Sequence, residues 1–278
     1  MGVIILTVII LLIAWSAISL IPVTGRFSLD LLDGETANVR MLLITDLHSC
    51  KYGRNQSQLI EMVKKEAPDI IMFGGDIFDD RLPDDNAQTV VRQLSKLYPC
   101  YYVTGNHEYR SGQMHAYVHA HMRADYIKSF LRDEGVRVLE GDCETLLLKG
   151  CAIDICGVDD PAGTGDAAWK DSLAGAYAQT DREHLRVLLT HRPERVSVYE
   201  QYDFDLILAG HAHAGQIRIP FFNRGLLAPN QGFFAKYVSG IYTLSNGSVM
   251  AVSRGLARES TPFPRFFNHP EIVVLDIH

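Results

Sequence analysis

Apolar and polar positions alternate along most of this chain in short blocks, and the blocks read as strands and helices in turn. Strand-like runs occur at Val39 to Ile44, Ile70 to Phe73, Tyr101 to Val103, Ala152 to Cys156, Arg186 to Leu189, Leu206 to Leu208 and Ile272 to Leu275. Between the first two, Gln58 to Ala67 sets Leu59, Met62, Val63 and Glu66 at helical spacing and stops before Pro68. Val90, Leu94 and Leu97 mark a second amphipathic helix before the next run. Strand, helix, strand in succession demands crossover connections and a mainly parallel sheet. Later runs are shorter and punctuated by Gly150, Gly157, Gly210, Gly215, Gly240 and Gly247, which suits a second, mixed sheet packed on the first. The expected fold class is α/β: a layered sandwich of two packed mixed sheets flanked by helices.

The first segment breaks this pattern. Val3 to Ile21 is an uncharged run of 19 residues ended by Pro22, long enough to span a bilayer as one transmembrane helix. A cleaved signal peptide is the rival, with Ala17-Ile18-Ser19 as a cleavage site, but no Lys or Arg precedes the run and its apolar stretch exceeds the usual signal core. The expectation is therefore a retained anchor over 1–22, a linker over 23–38 and one folded domain over 39–278, single-pass in the cell membrane. Arg26 and Arg40 follow the span and favour a cytoplasmic domain. Five cysteines, Cys50, Cys100, Cys143, Cys151 and Cys156, have no C-x-x-C spacing, read as buried thiols and lean the same way.

The formal charge of −7 over 278 residues argues against a basic groove, so nucleic acid is not an expected partner. Oligomeric state leaves no mark in the sequence.

The chemistry is positional. LLIT ends in Asp46-Leu47-His48, IIMFGG in Asp76, YYVTG in Asn106-His107-Glu108, VLLT in His191 and LILAG in His211-Ala212-His213. Taken singly, an Asp or Asn after a strand is a turn former or helix cap, and a lone His is a hydrogen-bonded surface or core residue. Five strand ends doing the same thing are another matter, because loops beyond strand ends in α/β sheets converge on one crevice.

The ordered set resembles the calcineurin-like metallophosphoesterase superfamily, whose motifs are D-x-H, G-D, G-N-H-[DE], H and G-H-x-H. All five are present, with Gly75-Asp76, Gly105-Asn106-His107-Glu108 and Gly210-His211-Ala212-His213 carrying the glycines, and the likeness runs over roughly residues 40 to 278. More narrowly, Gly157-Val158-Asp159-Asp160-Pro161, Gly215-Gln216-Ile217-Arg218-Ile219-Pro220-Phe221 and Pro270-Glu271-Ile272 look like a bacterial membrane-linked branch similar to UDP-2,3-diacylglucosamine pyrophosphatases. The resemblance implies two metal ions bridged by Asp76. Asp46, His48 and His213 would complete one, and Asn106, His191 and His211 the other. Oxygen and imidazole ligands suit manganese, iron or zinc. His107 would be the general acid, with Glu108 holding its ring or merely solvating the loop.

The implied activity is metal-dependent hydrolysis of phosphate esters or anhydrides on a small-molecule or lipid substrate, a UDP-acyl sugar among them. Its alternatives are a phosphodiesterase or phosphatase on soluble substrates and, in another class, a metal-free interaction scaffold. Phe221, Phe222, Phe233, Phe234, Phe263, Phe266 and Phe267 gather late in the chain, as core if buried or as a lipid-facing rim if exposed.

Overall fold

The computed structural model describes residues 19–32, 38–110, 116–218, 225–258 and 265–278. One six-stranded sheet runs in the order β1 (Val23–Leu29), β14 (Glu271–Ile277), β2 (Val39–Ile44), β3 (Ile70–Gly74), β4 (Cys100–Val103) and β5 (Arg137–Val138). The second runs β12 (Gly240–Thr243), β13 (Val249–Val252), β9 (Leu206–Ala209), β8 (Leu185–Leu189), β7 (Cys151–Gly157) and β6 (Asp142–Leu148). A separate hairpin pairs β10 (Gly225–Ala228) with β11 (Gly232–Ala235).

β2, β3, β4 and β5 are mutually parallel, as are β7, β8, β9 and β13; helices make the returns except from β9 to β13, where the β10–β11 hairpin and β12 intervene. α1 (Ser57–Glu66) returns the chain from β2 to β3, α2 (Asp85–Leu94) from β3 to β4, and α3 (Ala116–Asp133) from β4 to β5. Antiparallel pairs β14–β2, β12–β13 and β6–β7 make both sheets mixed, as the sequence pattern implied.

Alternation along the strands builds the layers. Met41, Leu43, Met72 and Val103 face Ile153, Ile155, Val187, Leu189 and Leu208 between the sheets, all of them shielded from solvent. The opposite faces of β2 and β3, with Leu42, Ile44, Ile71 and Phe73, pack under Leu59 and Val63 of α1 and Val90 and Leu94 of α2. On the far side, α4 (Asp166–Tyr177) lays Trp169 and Leu173 over Leu188, Ile207 and Val252. Burying such alternating faces on both sides of each sheet supplies most of the driving force for the sandwich.

Three sequence expectations are corrected. Among the described residues no helix is long and apolar enough to cross a membrane, so the single-pass membrane placement with a cytoplasmic domain is withdrawn. Apart from residues 19–21, which turn into β1 rather than continue a helix, the run Val3 to Ile21 lies outside the described residues. The stretch read as a linker supplies β1, an edge strand whose Val23 to Leu29 pair in parallel with Glu271 to Ile277; its half-covered pattern gave no clean alternation. Cys143 and Cys156 are not free thiols. They stand directly opposite one another on β6 and β7, with Cα atoms 4.0 Å apart, and form a disulfide. Cys50, Cys100 and Cys151 are buried outside it.

Candidate metal centre

The loops leaving β2, β3 and β4 in one sheet meet those leaving β8 and β9 in the other. Backbone hydrogen bonds lace them together: Asp46 N–H to the Gly75 carbonyl (3.0 Å), His48 N–H to that of Asp76 (2.9 Å) and Gly210 N–H to that of His191 (3.3 Å). The chain does not leave the strands extended. Asp46, His48, Asp76, His211 and His213 all have left-handed backbones, with φ of 50°, 47°, 51°, 66° and 46°. Non-glycine residues held there mark strained, functional turns. Gly105 is required by close approach, since a Cβ would lie 2.2 Å from Asp76 Oδ1.

Among the described residues, ligand atoms fall into four groups, each with atoms within 4.8 Å of one another: Asp46, His48 and His213 form one and Asp76, His191 and His211 another, while His107 joins His48 and Asp76 in a third and Asp79 and Asp80 in a fourth. Asp76 Oδ2 lies 3.6 Å from His48 Nε2 and 3.2 Å from His191 Nε2, so this carboxylate stands between the first two groups. The donor set fits a cation. His48 Nδ1 is 2.9 Å from Asp79 Oδ1 and donates to it, which leaves the buried Nε2 lone pair without a partner. His191 Nδ1 donates to the Gly74 carbonyl at 2.8 Å and turns its Nε2 inward. Asn106 Oδ1 is likewise buried without a donor. Orphaned acceptors in a dry pocket are costly unless a cation satisfies them.

Electrostatics agree. Burial opposes charge on His191, yet the Asp76 carboxylate outweighs it and pushes the imidazole up to about 10. Against burial, which raises it, His191 and His48 hold the Asp76 carboxyl well below the usual carboxylate range. Burial drives His213 the other way, down to about 3. The carboxylates of the pocket thus favour positive charge at its centre.

Six of the seven expected ligands fall within the first two groups, and the seventh, Asn106, follows Gly105 in the loop that presses against Asp76. One expected role is not met. Glu108 does not hold the His107 ring. It is fully buried and accepts backbone N–H groups from Asp76 (3.1 Å), Ile77 (2.9 Å), Phe78 (3.1 Å) and Gly105 (2.8 Å), tying the β3 and β4 loops together. The residue that holds His107 is Asp80, whose Oδ1 is 2.9 Å from Nδ1, while the ring stands edge-on to His48 with centroids 4.4 Å apart. Burial, with His48 and Arg110 adding to it, lowers the His107 imidazole.

Sequence reasoning missed Asp79 and Asp80, although their place three and four residues after Asp76 was a signal. It also missed Arg192, whose guanidinium forks onto Asp160 at 2.5 and 2.8 Å beside His211. Asp160 caps the short helix Pro161–Thr164 as well, accepting from Ala162 N–H. Of the late phenylalanines, Phe233 is 72% exposed, with Leu227 of the same hairpin 45% exposed; Phe221, Phe222 and Phe263 lie outside the described residues.

Comparison with known proteins follows the same loops. The calcineurin-like phosphoesterase family model matches residues 39–215. An uncharacterized metallophosphoesterase of Campylobacter jejuni is 30% identical over 86% of this chain and 59% of its own length. The chain thus spans about three fifths of that relative. Phosphodiesterase YaeI of Escherichia coli is 25% identical over 91% of this chain and 87% of its own. Among solved structures, a 5′-nucleotidase precursor from Thermus thermophilus shares the fold, with a TM-score of 0.53 at 13% identity over 80% of this chain and 50% of the other. Because the family match covers every loop from Asp46 to His213, the chain belongs to the calcineurin-like phosphoesterase family.

Proposed function

We propose that the chain cleaves phosphate esters or anhydrides with two metal ions, phosphodiesters foremost. The observation that carries this reading is Asp76 standing between two ligand groups whose inward atoms, His48 Nε2 and Asn106 Oδ1 among them, are buried without partners. Asp46, His48 and His213 would hold one ion, Asn106, His191 and His211 the other, and Asp76 both. Oxygen and imidazole ligands with no thiolate suit manganese, iron or zinc. When bound, such ions would supply Lewis acidity, polarising the phosphoryl oxygens and activating water.

The remaining work falls to the protein. His107, its side chain 20% exposed, gives a proton to the leaving oxygen from Nε2 once Arg110, whose Nη1 faces that atom at 3.0 Å, swings aside, while Asp80 fixes its ring through Nδ1. Glu108 keeps the two loops in register so that Asp76 and Asn106 stay aimed inward. A diester is favoured by the phosphodiesterase relative. Exposed Phe233 and Leu227 on the hairpin favour, as a second reading, a phosphate substrate that also carries an apolar tail.

The test is metal content together with hydrolysis of bis-p-nitrophenyl phosphate, p-nitrophenyl phosphate and a UDP-linked acyl sugar, for wild type and Asp76→Asn. Two transition ions per chain and activity lost in the variant are expected, and preference for the acyl sugar selects the second reading. A wild type that stays metal-free and inactive under manganese, iron and zinc supports the scaffold alternative instead.

A further inference from the structure

His211 offers its two ring nitrogens to different neighbours. Nδ1 lies 3.1 Å from His191 Nε2, inside the ligand group. Nε2 points out of it, toward Arg192 Nη1 at 2.9 Å and Asn230 Nδ2 at 3.4 Å. Both of these atoms are donors without acceptor capacity. Arg192 is buried, and its Nε and Nη2 are spent on Asp160. That fork leaves Nη1 to face His211 Nε2 and, at 3.7 Å, to pair with the Glu194 carboxylate. Asn230 sits in the turn between β10 and β11, with φ of 58°, and uses its other amide hydrogen on Glu194 Oε1 at 3.1 Å.

A neutral imidazole that gives Nδ1 to a metal keeps its proton on Nε2. With His211 so engaged, three donors face one another: the Nε2–H, one N–H of Arg192 Nη1 and one N–H of Asn230. None can accept from the others, and the Asp160 fork holds Arg192 in place. The missing partner is an acceptor, and an anionic oxygen is the one that a guanidinium and two further N–H groups bind best.

We propose that Arg192, Asn230 and the outer edge of His211 form a three-donor cradle for a phosphoryl oxygen of the substrate. This rests on the two-metal reading above, because ligation of His211 through Nδ1 is what turns its outer edge into a donor. The oxygen belongs either to the phosphoryl group under attack or to a second phosphoryl group next to it.

The experiment uses the full metal-loaded chain and calorimetric titration with inorganic phosphate and, separately, with imidodiphosphate, which carries a second phosphoryl group. Metal content is measured first, so a wild type that takes up no metal defeats the underlying reading before any phosphate is added. The variants are Arg192→Lys, which keeps the charge and loses the fork, and Asn230→Gly, which keeps the left-handed turn and loses the donor. Loss of one hydrogen bond to a charged oxygen weakens binding about tenfold or more. Weakening for both ligands assigns the oxygen to the phosphoryl group at the metals; weakening for imidodiphosphate alone assigns it to the neighbouring one. Unchanged dissociation constants for both ligands in Arg192→Lys and Asn230→Gly, at wild-type metal content, overturn the cradle.

Discussion

Replacing Glu108 by glutamine changes one atom and tests whether this residue is a loop clamp or a catalytic partner. Burial first, and the nearby Asp76 carboxylate second, push the Glu108 carboxyl up to about 7, so at pH 8 it is ionised. There its Oε1 accepts from Ile77 and Phe78, and its Oε2 from Asp76 and Gly105. Glutamine keeps one acceptor oxygen and turns an NH2 group toward the other pair of N–H donors. Two buried backbone donors are then stranded, each costing about 1–3 kcal/mol, for a total near 4 kcal/mol. For a domain of this size that corresponds to a fall of roughly 8–16 °C in the unfolding midpoint. Urea and thermal unfolding at pH 8, followed by circular dichroism on metal-free protein, give the number directly. A loss below about 1 kcal/mol, accompanied by a displaced pH–rate profile, would refute the clamp and return Glu108 to the side of His107.

Three other outcomes are expected. His107→Ala lowers kcat/KM by about a hundredfold for alkyl phosphodiesters and far less for p-nitrophenyl esters, whose leaving groups need no proton; equal losses on both refute the acid role. Gly105→Ala forces Asp76 to move, because the new Cβ would lie 2.2 Å from its Oδ1 and 2.6 Å from its N. It costs about 1–3 kcal/mol in urea unfolding, and bound metal falls with it. At the far end of the fold, hydrogen bonding to Asp154 raises the His184 imidazole above its ordinary value near 6.5, at an Nδ1 to Oδ1 distance of 2.9 Å. Stability from this pair is fully present below that pH and is lost as pH rises through the folded value, so wild type weakens above about pH 6.5 relative to His184→Gln. Parallel stability curves for the two proteins in that window refute it.

Most of the site was legible because strand ends carry it. Ile44, Gly74, Val103, Leu189 and Ala209 close apolar runs, and the polar residue just beyond each must enter the same crevice. The inter-sheet core was legible for the same reason, since Leu43 and Leu189 belong to the apolar stretches Met41 to Ile44 and Val187 to Leu189. What stayed hidden depends on partners far away in the chain. β1 becomes a strand by pairing with residues nearly 250 positions later, and its own Gly25 and Arg26 argue for a loop. The Cys143–Cys156 pair follows from the register of a hairpin, not from any spacing rule. Glu108 could be read only as holding the neighbouring ring or solvating the loop, because motif reading links adjacent residues, whereas its acceptor oxygens are claimed mostly by backbone about 30 positions earlier.

Asp76 comes from one sheet, His191 and His211 from the other, and Asp46 and His213 divide in the same way. A cation held by such ligands would act as a rivet through the sandwich, joining layers that otherwise adhere mainly by apolar contact and a few hydrogen bonds such as His191 to Gly74. Loaded protein should resist sliding or peeling of one sheet from the other more than its overall gain in stability suggests. The free energy of metal uptake is then also adhesion between the two halves of the molecule.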